Sequence, residues 1–169
     1  CGVGEPFAED VVRAMLLLRA NVLATGHAGC RPEVVERVLT LLEAGVHPVV
    51  PSQGSVGASG DLAPLAHLAL VLVGEGEAIV GGERMSGAEA LAKVGFEPLH
   101  LGAKEGLALI NGTQVSLAFL LVALARASQL VRLADLAGCM STEALKGTDT
   151  AFDPRVVELR PHPGAAAAA

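Results

Sequence analysis

Residues 54–67 read GSVGASGDLAPLAH, and this stretch constrains the fold more than any other part of the chain. A glycine-rich segment ends here and an apolar run begins, with Asp61 at the junction. Asp is a favoured helix N-cap, and Pro64 is tolerated in a first helical turn. We therefore expect a helix over Leu62–Gly74. It carries no charged residue, which predicts burial on all sides, and it is too short for a bilayer that requires about 20 residues.

The segment before this helix, Ala44–Gly60, lacks charged groups and holds four Gly and two Pro. Such a composition predicts a long loop, and long loops in compact domains are often functional. Periodicity, capping residues and turn residues predict the remaining elements. These are helices over about 9–25, 32–44, 86–95, 104–110 and 113–137, a hairpin over 78–85 with a Gly81-Gly82 turn, a capping box of Ser86 with Glu89, and a loop over 148–163.

Composition favours a well-buried helical fold. Apolar residues make up 51% of the chain and charged residues 18%, with no Trp or Tyr. The expected fold class is all-α, a bundle of long, largely buried helices with a small β-hairpin. Residues 106–125 are uncharged, but the polar residues at 111–114 interrupt them, so a central bundle helix fits better than a membrane span.

Charge and cysteine usage exclude several classes of function. The net charge of −6 comes without a cluster of Lys or Arg, which argues against a nucleic-acid partner and fits a cytoplasmic protein. Cys1, Cys30 and Cys139 form no Cys-x-x-Cys pair, so we expect reduced thiols without a zinc site. His27, His47, His100 and His162 show no metal-ligand spacing.

Ala58-Ser59-Gly60 has the residue types that a backbone cyclisation requires. Gly60 supplies a main-chain nitrogen without a side chain to hinder it, and Ala58 supplies an approachable carbonyl. Ser59 lies between them with a hydroxyl that can leave as water. Loss of two waters would give a ring with an electrophilic methylidene carbon. Without its surroundings, however, the same tripeptide reads as a flexible turn before an N-cap.

The whole of residues 54–67 resembles the prosthetic-group motif of the histidine and aromatic amino acid ammonia-lyases. This resemblance implies a 4-methylideneimidazole-5-one group made autocatalytically from Ala58, Ser59 and Gly60, without a metal. A second motif, LINGTQ at residues 109–114, resembles the family segment whose Asn lies beside the ring and the substrate carboxylate. That residue is Asn111 here. By itself, Asn111-Gly112 would be an ordinary turn with Thr113 as a cap.

The resemblance extends along essentially all of residues 1–169, which we expect to be one segment of a larger helical lyase domain. The residues flanking Ala58-Ser59-Gly60 look most like those of the histidine enzymes, which implies elimination of ammonia from L-histidine to give urocanate. It also implies a small-molecule substrate and a homotetramer with shared active sites. Other active-site residues of the family, a Tyr and a base among them, have no counterpart here, so the segment alone is expected to be inactive.

Two alternatives remain open from the sequence. One is a lyase or aminomutase of the same family that acts on tyrosine or phenylalanine. The other is a non-catalytic helical segment or oligomer interface. Whether the substrate amine or its imidazole would attack also stays open. The remaining charged residues are assigned no chemistry: His67 is expected in the core, and solvated helix faces are expected for Arg13, Arg19, Glu33, Glu36 and Arg37.

Overall fold

The computed structural model describes residues 2–57 and 59–168, which form two compact units, 1–123 and 124–169. The expectations for Cys1 and Ala58 lie outside the described residues. The expectation that 1–169 form one segment of a larger domain stays a prediction.

The first unit is built around helices whose positions follow the predicted ranges. They are α1 (Glu9–Ala24), α2 (Pro32–Glu43), α3 (Leu62–Leu72), α4 (Gly87–Lys93), α5 (Glu105–Ile110) and the beginning of α6 (Gln114–Ala144). Helix α1 packs on α2, and α3 packs on both α4 and α5. The core consists of aliphatic side chains, among them Met15, Leu16, Val38, Leu65 and Leu109. The helix-rich fold class is therefore confirmed.

In the described residues, five short strands accompany these helices, more than the one predicted hairpin. Strands β4 (Glu77–Val80) and β5 (Glu83–Ser86) form that hairpin, and Gly81 and Gly82 both have the positive φ that its turn requires. Strand β2 (Val46–Pro48) adds to the outer edge of β4, while β3 (Pro51–Gln53) pairs with β1 (Val3–Pro6). The prediction of a continuous loop over 44–60 was therefore wrong at 46–48 and 51–53, where strands form; Val46, Val49 and Val50, in and beside these strands, are buried.

Helix α4 begins as its local sequence predicts. The Ser86 side chain accepts from the Glu89 backbone N–H, and the Glu89 side chain accepts from the Ser86 backbone N–H. This reciprocal pair is the capping box, which satisfies donors that the first helical turn would leave without partners.

The second unit holds the rest of α6, a 3-10 turn (Thr150–Phe152), α7 (Pro154–Glu158) and α8 (Pro163–Ala168). The predicted loop over 148–163 was thus partly wrong. Asp153 accepts from the Arg155 backbone N–H at 2.9 Å, and Pro154 follows it, so a capped proline start converts the expected turn into a helix.

Helix α6 differs from the prediction in length and in burial. It runs seven residues beyond the expected end at Ala137, and it buries only Gln114, Val115 and Ala118. Most of its later apolar side chains are exposed, among them Leu120, Leu124, Leu130, Val131 and Leu136. The expectation of a largely buried central helix is wrong for this chain, because nothing in the described residues covers these side chains.

The stretch Glu105–Ala144 is long and apolar enough, by length and composition alone, to cross a membrane, with 28% of its most apolar window buried. In the structure it is two helices, since α5 ends at Ile110 and α6 begins at Gln114. The expected absence of a membrane span stays a prediction.

Candidate active site

The glycine-rich loop before α3 presents Ser59 to solvent. Gly57 has φ +67°, a conformation that favours glycine, and its backbone N–H donates to Ser55 Oγ at 3.2 Å. Ser59 is exposed and Gly60 is half-buried. The predicted site residue Ala58, which lies between Gly57 and Ser59, is outside the described residues. The described part of the loop thus combines an accessible hydroxyl with a following residue that has no side chain.

Asp61 anchors this loop to a second helix. It is the N-cap residue of α3, as predicted, but its side chain is 1% exposed and makes no capping hydrogen bond to that helix. The carboxylate instead accepts from Ser55 Oγ at 2.7 Å, from the Ser116 backbone N–H at 3.0 Å and from Ser116 Oγ at 3.1 Å. Ser116 lies in the first turn of α6, so Asp61 satisfies an N-terminal donor of that helix.

The second predicted motif lies directly beside the first. Asn111 follows the last residue of α5, with exposed surface and an extended backbone conformation. A Cβ built on Gly60 would be 3.8 Å from both Asn111 Oδ1 and the Gly112 carbonyl oxygen. The Asp61 backbone N–H also donates to that carbonyl at 2.8 Å. The structure therefore brings Ser59, Gly60 and Asn111 to one place, although about 50 residues separate the two motifs.

Arg19 is a functional candidate that the sequence reasoning missed. It was expected on a solvated helix face, yet it is 2% exposed, so that prediction was wrong. Its Nη1 donates to the Asn111 carbonyl at 3.1 Å and to Gln114 Oε1 at 2.6 Å, and its Nη2 donates to the Ala108 carbonyl at 2.5 Å. Burial lowers the pKa of this guanidinium from its ordinary value. Its Nε is buried and has no hydrogen-bond partner among the described residues.

Glu105, at the start of α5, is a second buried charge that the sequence did not reveal. It is 3% exposed and accepts from the Arg31 side chain, from the Arg31 backbone N–H and from the Gly102 backbone N–H. These hydrogen bonds, the Arg31 side chain foremost, lower the pKa of Glu105 to about 2. The pair ties the first turn of α5 to the segment before α2, and α5 in turn carries Asn111.

The histidines show no catalytic arrangement. His67 is half-buried rather than in the core, and burial lowers its pKa. His47 Nε2 lies 3.2 Å from Glu9 Oε1, and its buried Nδ1 has no partner in the described part of the chain. Within residues 2–57 and 59–168, no three His, Cys, Asp or Glu side chains are grouped to hold a metal ion.

Comparisons with known proteins match the whole chain to one enzyme family. A family model described as aromatic amino acid lyase matches residues 1–169. The histidine ammonia-lyase of Gloeobacter violaceus is 63% identical over 163 residues, which are 96% of this chain and 32% of that relative. The crystal structure of histidine ammonia-lyase from Trypanosoma cruzi matches with 45% identity and a TM-score of 0.90, over 97% of this chain and 32% of that one.

A phenylalanine aminomutase from Pantoea agglomerans also matches, with 35% identity and a TM-score of 0.91, over 99% of this chain and 33% of that one. The chain therefore spans about a third of the length of the curated relatives that it matches. The fold alone does not separate a lyase from an aminomutase, since structures of both match with TM-scores of about 0.9.

Proposed function

The chain belongs to the aromatic amino acid lyase family, and on that premise we propose that the complete gene product is an ammonia-lyase that converts L-histidine to urocanate. The observation that carries this proposal is the position of Asn111 Oδ1, 3.8 Å from the point where a Gly60 Cβ would lie. Identity of 63% to a histidine ammonia-lyase supports histidine as the substrate.

The described residues fit a 4-methylideneimidazole-5-one group formed from Ala58, Ser59 and Gly60. Ser59 is exposed, elimination of its hydroxyl as water would leave the methylidene carbon, and Gly60 has no side chain between its nitrogen and the preceding residues. The Gly57 conformation at φ +67° allows the tight backbone that cyclisation requires. When formed, the group supplies an electrophilic methylidene carbon, which standard side chains do not offer.

The chain's own residues bind and orient the substrate in this proposal. The Asn111 side-chain amide can donate to the substrate carboxylate while its oxygen accepts from a neighbouring donor. Helix α3 begins two residues after Gly60, and its partly positive N-terminus favours negative charge that develops near the ring.

The decisive experiment assays the complete gene product and its Ser59→Ala variant. The wild type should release ammonia from L-histidine faster than from L-tyrosine or L-phenylalanine, and mass spectrometry of the 58–60 peptide should show the loss of two waters. Ser59→Ala should lose both the activity and the mass change. Ser52→Ala is a matched control, because Ser52 is also exposed but lies outside the tripeptide.

Three outcomes would contradict this proposal. Faster turnover of tyrosine or phenylalanine, or release of a β-amino acid, would favour the alternative of another lyase or an aminomutase. Full ammonia release by Ser59→Ala would refute the prosthetic group. A stable protein with neither water loss nor activity would favour the non-catalytic alternative.

The same proposal includes a homotetramer in the cytoplasm. The exposed leucine-rich surface of α6 supports an oligomer, because apolar patches of this kind mark interaction sites. Cys30 and Cys139 are free thiols, as a reducing compartment permits. Analytical ultracentrifugation of the complete gene product tests the tetramer, and fractionation of cells tests the location.

A further inference from the structure

The turn between α5 and α6 carries Asn111, and it is held from two directions. On one side the Asp61 backbone N–H donates to the Gly112 carbonyl at 2.8 Å. On the other side Arg19 donates to the Asn111 carbonyl at 3.1 Å. Asn111 has no hydrogen bond through its side-chain amide among those found in the described residues, so its main chain determines where that amide lies.

Arg19 contacts both helices that meet at this turn. It donates to the Ala108 carbonyl near the end of α5 and to the side chain of Gln114, the first residue of α6. The last carbonyls of a helix have no intrahelical donor, and they carry the negative end of the helix dipole. A buried guanidinium with several donors in a planar fork suits this place, since it can bind oxygens from both helices at once.

The Arg19 guanidinium packs closely against the turn at Gly112. A Cβ on Gly112 would overlap Arg19 Nη1 and Gln114 Oε1. The backbone of the turn therefore lies directly against the guanidinium, and a side chain at Gly112 would displace Arg19 or Gln114. A change in the length or shape of the Arg19 side chain should move Asn111, the preceding residue, whose carbonyl accepts from Arg19.

We propose that Arg19 is a positioning residue that holds Asn111 beside Gly60 through the Asn111 main chain, without contact with the substrate. This inference rests on the proposed function, because it assigns to Arg19 the placement of the group that binds the substrate carboxylate. It concerns a buried residue of α1, which is about 90 residues from Asn111 in the sequence.

The test is a double-mutant cycle in the complete gene product. Arg19→Met should lower kcat/KM for L-histidine by roughly 100-fold, the loss that a displacement of about 1 Å can cause. In an Asn111→Ala background, the same substitution should change kcat/KM by less than about threefold, because the group that it displaces is already gone. Arg19→Lys keeps the charge but cannot bind three oxygens in a fork, so its loss should be intermediate.

Arg13→Met is the matched control. Arg13 lies on the same helix, is exposed and donates to the Leu42 carbonyl, so its removal should leave kcat/KM within about twofold of wild type. Far-ultraviolet circular dichroism in urea reports whether each variant is folded. If Arg19→Met fails to fold, Arg19→Lys replaces it in the double-mutant cycle.

A second readout does not depend on turnover. In the Ser59→Ala background, which cannot react, calorimetry measures the Kd for L-histidine. Arg19→Met should weaken this binding at least tenfold, and Arg13→Met should not. A folded Arg19 variant that keeps wild-type kcat/KM, an equal loss with and without Asn111, or unchanged binding would overturn the inference. A wild type that releases no ammonia from any of the three amino acids would instead overturn the proposed function.

Discussion

Replacing Asp61 by Ala should destabilise the protein by about 3 kcal/mol. The Asp61 carboxylate accepts three hydrogen bonds, and each hydrogen bond to a charged group contributes about 1.5–3 kcal/mol. Ser55 and Ser116 are exposed, so their hydroxyls can bind water after the substitution. The Ser116 backbone N–H loses its charged acceptor, and this loss together with the small cavity gives the estimate.

The assay is urea denaturation of the complete gene product, followed by far-ultraviolet circular dichroism at one protein concentration. Ser116→Ala is the graded control, because it removes the hydroxyl but keeps the backbone donor, and it should cost less than about 1 kcal/mol. Asp61→Asn should fall between the two, because one acceptor oxygen remains. The reasoning is refuted if Asp61→Ala costs no more than Ser116→Ala.

Two further predictions concern the folded chain away from the tripeptide. The hydrogen bond from Arg31 lowers the pKa of Glu105 to about 2, below the ordinary 4.5, so its stabilisation is present above pH 4.5 and is lost as pH falls towards 2. Urea titrations across that range should therefore show a smaller acid-induced loss for Glu105→Gln than for wild type, and an equal loss would contradict the assignment. Gly87→Ala should cost about 3 kcal/mol, because the added Cβ overlaps the Glu75 carbonyl oxygen, which belongs to the backbone. Gly138→Ala lies in open space on α6 and should leave the free energy of unfolding unchanged or raise it by about 1 kcal/mol. Similar thermal midpoints for Gly87→Ala and Gly138→Ala would show that the predicted clash is absent.

Elements with local signals could be predicted from the sequence. The capping box at Ser86 and the Gly81-Gly82 turn depend on residues within four positions of each other, and both are present. The ranges of α1 to α5 also follow the predicted ones, because proline, glycine and apolar periodicity mark them along the chain. Strand β2 was missed because three residues carry almost no periodic signal, and its pairing partner lies about 30 residues away.

The error at Arg19 had a signal that could have corrected it. Met15, Arg19 and Leu23 are spaced by four residues, and all three lie on the buried face of α1. A positive charge in an apolar stripe indicates a buried partner, although the sequence does not say which one. That partner is a turn about 90 residues away, which only the tertiary structure reveals.

Asp61 illustrates the same limit at the site itself. A local reading makes it the N-cap of α3, because Asp often has that role and an apolar run follows. Its carboxylate binds Ser116 in another helix instead, and this choice depends on how α3 and α6 pack. The motifs at 54–67 and 109–114 indicate which residues meet. The contacts that anchor these residues, such as Asp61 with Ser116 and Arg19 with the Asn111 carbonyl, do not follow from either motif.

The Asp61–Ser116 contact also sets an order of events during protein synthesis. Its two residues are 55 positions apart, and a ribosome adds that many residues in roughly 3–11 s. A nascent chain that ends before Ser116 lacks the backbone N–H that donates to Asp61 and anchors the glycine loop. If the proposed ring forms and its closure needs the anchored loop, closure is a late event that begins only after translation has passed the start of the long helix.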